Sequence, residues 1–165
     1  MKALFWLLFI GLIGFSIITG CERDKTKKFE EKKIEFSGRL DSVSACKNQK
    51  SIQTVSDSSD SIDCVIYDFN EEINKLYMKH INKRLNCCPD SMHVIISKSN
   101  DTILIQETDG GGNCGCVCFY DFYIELDGIE AKKYQFQFEQ PYLWGINFSF
   151  ELDFTKTQNG MYCHN

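Results

Sequence analysis

The residues with the most chemistry in them are sulfurs. The stretch Cys114-Gly-Cys-Val-Cys-Phe-Tyr-Asp121 sets three cysteines two apart, Cys87 and Cys88 are adjacent, and Cys46, Cys64 and Cys163 lie elsewhere. Such a set supports three chemistries. In an oxidising compartment cysteines pair as disulfides. As thiolates, Cys87, Cys88, Cys114, Cys116 and Cys118 together with His80 would offer soft ligands to Cu(I) or Zn²⁺, although the spacings are not those of a zinc knuckle. Thiol-redox catalysis needs a thiolate of lowered pKa, usually in a C-x-x-C at a helix N-terminus, and that motif is absent. His80 is also a possible general base with Asp121 as its orienter. A lone histidine on a strand commonly serves instead as a hydrogen-bonding structural residue. No nucleophile elbow, H-E-x-x-H or Walker pattern occurs. The glycines of Asp109-Gly-Gly-Gly-Asn113 precede neither a helix nor a Lys-Ser/Thr pair, so they read as a hairpin loop and not a phosphate cradle. No catalytic residue is assigned, and a non-enzymatic role is expected.

The compartment is read from the N-terminus. Lys2 is followed by an apolar run, Ala3 to Ile18, and then by Thr19-Gly20-Cys21. An apolar residue, two small residues and a cysteine closing such a run resemble the lipobox of bacterial lipoproteins. A plain secretory signal ends in a small-x-small site instead. The resemblance implies a diacylglyceryl (and palmitate-type) lipid on the Cys21 thiol and cleavage between Gly20 and Cys21. Two or three acyl chains hold a protein stably at a membrane where one does not. The other reading is an uncleaved span, for which the run is barely long enough. Glu22 stands where an Asp would signal inner-membrane retention, which points to the outer membrane of the envelope. The expected organisation is a signal peptide over 1–20, a lipidated cysteine and charged tether over 21–33, and one domain over 34–165.

Removing the signal takes the formal charge from −5 to −6. An acidic domain has no electrostatic footprint for nucleic acid. The expected partners are the membrane, through the lipid, and an unidentified protein or glycan. No cofactor is expected beyond the lipid itself. Of nine cysteines, eight remain after Cys21: Cys46, Cys64, Cys87, Cys88, Cys114, Cys116, Cys118 and Cys163. An even number in an exported domain argues for disulfides, but eight cysteines allow about a hundred complete pairings. Cys46 and Cys64 flank the polar stretch around Ser56-Asp-Ser-Ser-Asp-Ser61, so a bridge between them would close a loop for about 3 kcal/mol. Asp57, Asp60 and Asp63 in that stretch could meet Ca²⁺, yet no Gly-containing, Glu-terminated loop supports it. Cys87 and Cys88 on an extended segment point apart, and one of them could reach Cys114, Cys116 or Cys118. Cys163 could staple the C-terminus back.

These groups must be positioned by strands. From Cys114 to Leu126, alternation puts Cys114, Cys116, Cys118, Tyr120, Phe122, Ile124 and Leu126 on one face. Other alternating runs cover 34–40, 64–69, 92–97, 102–108 and 133–138. In the last run Trp144, Ile146, Phe148, Phe150, Leu152 and Phe154 share a face. The segment 75–82 fits a strand or a helical stripe, and the all-β surroundings favour the strand. About eight strands with short turns, preceded by a helical signal peptide, predict an all-β fold. Its expected form is an antiparallel two-sheet sandwich of immunoglobulin-like size. Outward Tyr77, Phe119 and Tyr123 are candidates for partner contact.

His80-Ile-Asn82, Asn86-Cys-Cys-Pro89, Thr102-Ile-Leu-Ile-Gln-Glu107 and Cys114-x-Cys-x-Cys-x-x-Asp121 together resemble a family of uncharacterised bacterial envelope lipoproteins. That family carries H-x-N…N-C-C, a strand ending in Glu, and C-x-C-x-C-x-x-D. The similarity spans about residues 62–138, with Gly128-Ile-Glu130 in place of the family's Pro-Gly-type turn. It implies a fold and an envelope location, and no catalytic activity.

Overall fold

The computed structural model describes residues 35–47, 50–51 (backbone only), 63–111, 114–139 and 147–164. The expected signal peptide, tether and Cys46–Cys64 loop tip, along with Trp144 and Ile146, lie outside them. The described residues form ten strands: β1 Ser37–Val43, β2 Lys50–Ser51, β3 Asp63–Asn70, β4 Lys75–Asn86, β5 His93–Ser99, β6 Thr102–Thr108, β7 Cys116–Asp127, β8 Lys133–Glu139, β9 Phe148–Asp153 and β10 Asn159–His164.

The all-β two-sheet sandwich expected from alternation is what forms. One sheet runs β1-β7-β4-β3-β10, with β2 also pairing to β7, and all its pairs are antiparallel. The other runs β5-β6-β8-β9 and contains one parallel pair, β6 with β8. The parallel pair follows from the path of the chain. After β6 the chain crosses to the facing sheet for β7 and returns as β8 beside β6. Two reversals leave the first and third strands pointing the same way, so β7 serves as the crossover that a parallel pair requires.

Aromatic residues fill the space between the sheets. Tyr67, Phe69, Tyr120 and Phe122 come from one sheet and Tyr134, Phe136, Phe138, Phe148 and Phe150 from the other, all buried. Phe138 stacks on Phe148 at 4.9 Å and Phe136 on Phe150 at 5.7 Å, following the β8–β9 register. Such ring pairs add about 0.5–1.5 kcal/mol each beyond the area they bury.

Residues 75–86 form one strand and not a helix, but its phase changes midway. Leu76, Met78 and His80 face inward, and then Lys83 and Leu85 do. Between them His80 stands opposite Phe122 and Lys83 opposite Tyr120. Three steps on β4 thus match two on β7, which is a β-bulge. Asn82 takes up the extra residue with φ of 63°, in the left-handed region where Asn is the best tolerated residue after Gly. Its N–H donates to Asp121 Oδ1 at 3.1 Å, and its own Oδ1 accepts from Lys47 at 3.2 Å. The bulge is therefore held from the outer face of β7.

The eight cysteines pair as Cys46–Cys118, Cys64–Cys163, Cys87–Cys116 and Cys88–Cys114. Cys163 does staple the C-terminal strand, Cys87 reaches β7 at Cys116, and Cys88 reaches Cys114, which the alternation placed in the strand but which precedes it. A Cys46–Cys64 bridge, one of the pairings left open, does not form. Register decides against it: Cys64 faces Cys163 across β3–β10, while the chain after β1 continues along β7 and brings Cys46 to Cys118. Phe119, expected to point outward to a partner, is buried.

If the left-handed backbone at Asn82 is what holds the bulge, Asn82→Gly should leave stability within about 1 kcal/mol of the parent. Asn82→Val should cost roughly 1–3 kcal/mol, because a β-branched residue resists that conformation. Urea unfolding measures both, and equal midpoints for the two variants would remove the bulge's dependence on that conformation.

Candidate functional site

The bulge places Lys83 beside His80 on the inner face of β4, where uninterrupted alternation would instead turn Asn82 and Arg84 inward. Across the sandwich, β6 buries Ile103, Ile105 and then Glu107. On the neighbouring strand, Asp63 opens β3 on the same face as Val65, Tyr67 and Phe69. These four titratable side chains meet at the edge of an aromatic core. His80 Nδ1 donates to Glu107, lying 2.8 and 2.7 Å from its two oxygens. His80 Nε2 donates to Asp63 Oδ1. Lys83 Nζ lies 3.3 Å from Glu107 Oε2, an ion pair without a hydrogen bond. The rings of Phe138 and Phe148 meet the imidazole edge-on, at 5.0 and 5.5 Å.

His80 and Lys83 have no exposed surface, and Glu107 has 1%. Burial is the largest influence on each and disfavours charge. For His80 the carboxylates of Glu107 and Asp63 outweigh it, and the imidazole is pushed up to about 9. Glu107 is held below the usual carboxylate range despite its burial, by His80 and by Lys83. Lys83 goes the other way: burial lowers it, and Glu107 compensates only in part. Neutral pH thus finds an imidazolium clamped between two carboxylates. A buried group of this kind gives little net stability over an apolar replacement, but stripping out one partner costs about 3–5 kcal/mol.

The arrangement engages both nitrogens of His80 and exposes neither, so it offers no surface to a substrate. Asp121, expected as its orienter, lies on the opposite face of β7. There it takes Lys47 and Lys79, the latter at 3.2 Å, besides the Asn82 amide. The alternation of β7 dictates this, since Asp121 and Phe122 must point to opposite faces.

The sulfur-rich end is organised by Asn86. Its Oδ1 accepts from the amides of Cys88 at 3.0 Å and Cys114 at 3.3 Å, and its Nδ2 donates to the Cys114 carbonyl at 3.0 Å. Its own amide donates to the buried Asp109 carboxylate at 3.0 Å, and Tyr120 donates to its carbonyl. The sulfurs of Cys87, Cys88 and Cys114 gather within 4.8 Å of one another. They do so as members of two disulfides, with no thiolate to offer a metal. His80, proposed as a fellow ligand, is committed to carboxylates instead.

On the outer face of the first sheet, Tyr77 and Tyr123 are exposed as expected. Lys75 sits over the ring of Tyr77 and Lys79 over that of Tyr123, at 5.5 and 5.0 Å. Register places Met161, Ile66, Lys79 and Tyr123 in one row across four strands, and Ile66 and Met161 are exposed too.

Sequence reasoning missed Asp63, Lys83 and Glu107 as the partners of His80. The available signal was Glu107, a charge where Ile103 and Ile105 predict an inward position. Lys83 carried none, because its orientation depends on the bulge.

The signs of the pKa shifts give a pH profile. His80 binds its proton more tightly folded, about 9, than unfolded, near 6.5, so its contribution is full below pH 6.5 and is lost as pH rises through 9. Glu107 contributes above its unfolded value of 4.5 and loses that contribution in acid. Lys83, lowered on folding, works against His80 in the alkaline range. Lys83→Met removes this opposition. Urea unfolding of that variant should show stability falling by roughly 2–4 kcal/mol between pH 6.5 and 9. A flat profile there would refute the buried imidazolium.

Compared with known proteins, the chain matches no family model, no curated protein and no solved structure.

Proposed function

We propose that the chain is a bacterial envelope lipoprotein, cleaved before Cys21 and lipidated there. It presents a non-enzymatic β-sandwich that binds a partner or serves a structural role, with the outer membrane as its destination. One observation carries this reading: all eight cysteines after Cys21 pair among themselves. Such pairing suits an oxidising compartment and leaves the ninth cysteine, at the end of the lipobox-like run, for the lipid. His80, Lys83 and Glu107 are buried and both nitrogens of His80 are taken, which argues for a structural role in place of catalysis. The partner surface favoured by exposure is the outer face carrying Tyr77, Tyr123, Ile66 and Met161. Its Lys–Tyr pairs suit a protein or a glycan, since an aromatic ring with a polar neighbour serves both.

The second reading is a thiolate metal-binding or thiol-redox protein. The gathering of Cys87, Cys88 and Cys114 sulfurs favours it, but it requires both adjacent disulfides to be reduced. A free-thiol and metal count on the purified chain separates the two. Blocked thiols and no metal support the binding module; four or more free thiols with stoichiometric metal support the alternative.

Metabolic labelling with a clickable fatty acid tests the anchor. The full chain in a bacterial host should take the label and sediment with membranes. Cys21→Ala should lose the label and accumulate unprocessed. A parent chain that stays unlabelled, or a variant processed normally, would sink the assignment.

A further inference from the structure

Lys83 is the one described residue with a buried side-chain nitrogen or oxygen that makes no hydrogen bond. Its Nζ nevertheless lies 3.3 Å from Oε2 of a carboxyl group as deeply buried as itself. That carboxyl, Glu107, receives His80 Nδ1 at 2.7 and 2.8 Å from its two oxygens. Asp63 fixes the imidazole from the other side, and Phe138 and Phe148 flank it. The four groups thus comprise an amine, a carboxyl carbon, a proton donor on the carboxyl oxygens and an orienting carboxylate.

We propose that Lys83 and Glu107 condense to an isopeptide bond that joins β4 to β6, and with them the two sheets. The amine nitrogen attacks Glu107 Cδ. His80 delivers its Nδ1 proton to the carboxylate, and the attacking nitrogen passes one proton to the departing oxygen. The Nζ–Cδ bond forms, one Cδ–O bond breaks, and water leaves. The balance is amine plus carboxylate plus one proton to amide plus water. No electrons are gained or lost, and no further reactant is needed. His80 ends neutral, still donating through Nε2 to Asp63.

Three features of the site favour the step. Burial lowers the pKa of Lys83 and so favours the free amine, the nucleophilic form. Holding the reacting groups in contact within a folded core supplies the proximity that an intermolecular condensation lacks. The dry, aromatic surroundings deprive the reverse hydrolysis of its water, and the product replaces two buried charges with one amide. His80 touches the reacting atoms, whereas Asp63 is a positioning residue that acts through it.

The test is a peptide map of the full chain, purified from a bacterial host in detergent, reduced, alkylated and digested. The expected product is a branched peptide joining the Lys83 and Glu107 segments, lighter than their sum by one water. Proteolysis after Lys83 should be lost, and the branched species should vanish in Lys83→Met. His80→Gln retains the amine and the carboxyl but has no comparable proton to give. Its linked fraction should fall at least tenfold. Recovery of both segments only as linear, unmodified peptides from the parent chain would overturn the proposal, whether or not either variant folds. Undiminished linkage in His80→Gln would overturn the role given to His80.

Discussion

A charge cannot be left alone in an aromatic core, and this fold brings four titratable side chains together at the edge of one. The contact between His80 and Glu107 makes that arrangement tolerable. It crosses from one sheet to the other, so it forms only when the sheets are in their native alignment. Apolar packing between sheets is permissive: a stack such as Phe136 on Phe150 tolerates small slips. A buried imidazolium between carboxylates does not, because misalignment strands unpaired charge at a cost of several kcal/mol. The quartet therefore contributes to the uniqueness of the pairing more than to its depth. The bulge at Asn82 belongs to the same constraint, since it turns Lys83 toward Glu107.

Disulfides tie the edge strands to the core. β10 has exposed or half-buried residues throughout, and β1 is mostly exposed. Segments of this kind bury too little apolar surface to offset their ordering entropy. Cys64–Cys163 fixes β10, Cys46–Cys118 fixes the chain that follows β1, and the adjacent pair closes the end near Asn86. In the chain-entropy account each closure is worth about 3–5 kcal/mol. The two devices divide the molecule: ion pairing sets the alignment of the middle, and sulfur holds the periphery.

Period two alone made most of the fold legible. The inward phase of Tyr120 to Leu126, of Tyr134 to Phe138 and of Phe148 to Phe154 was readable because those strands keep strict alternation. The parallel β6–β8 pair was not, since alternation shows faces but not neighbours. The disulfide partners followed long-range register, which cysteine spacing leaves open. The site was half legible. His80 was conspicuous as a residue type, and Glu107 sat at an inward position. Lys83 and Asp63 were hidden, one behind a phase shift and the other inside a stretch whose Ser and Asp content reads as a loop.

The distribution of polar groups between the faces bears on where function lies. Inside, His80 lies between the carboxyl groups of Glu107 and Asp63, with the Lys83 amine against Glu107. Outside, Asp121 and Glu125 are likewise taken by Lys47, Lys79, Lys75 and Arg39. Those lysines do a second job, because Lys75 and Lys79 also lie over Tyr77 and Tyr123. Each ring thereby gains a fixed cation, which limits its rotamer freedom before any partner arrives. A pre-ordered aromatic loses less entropy on binding than a free one, while Ile66 and Met161 add apolar area beside it. The inner groups are spent on alignment, and all but Asp63 are buried. The outer ones leave an ordered, partly apolar surface, and it is there that a partner can be met.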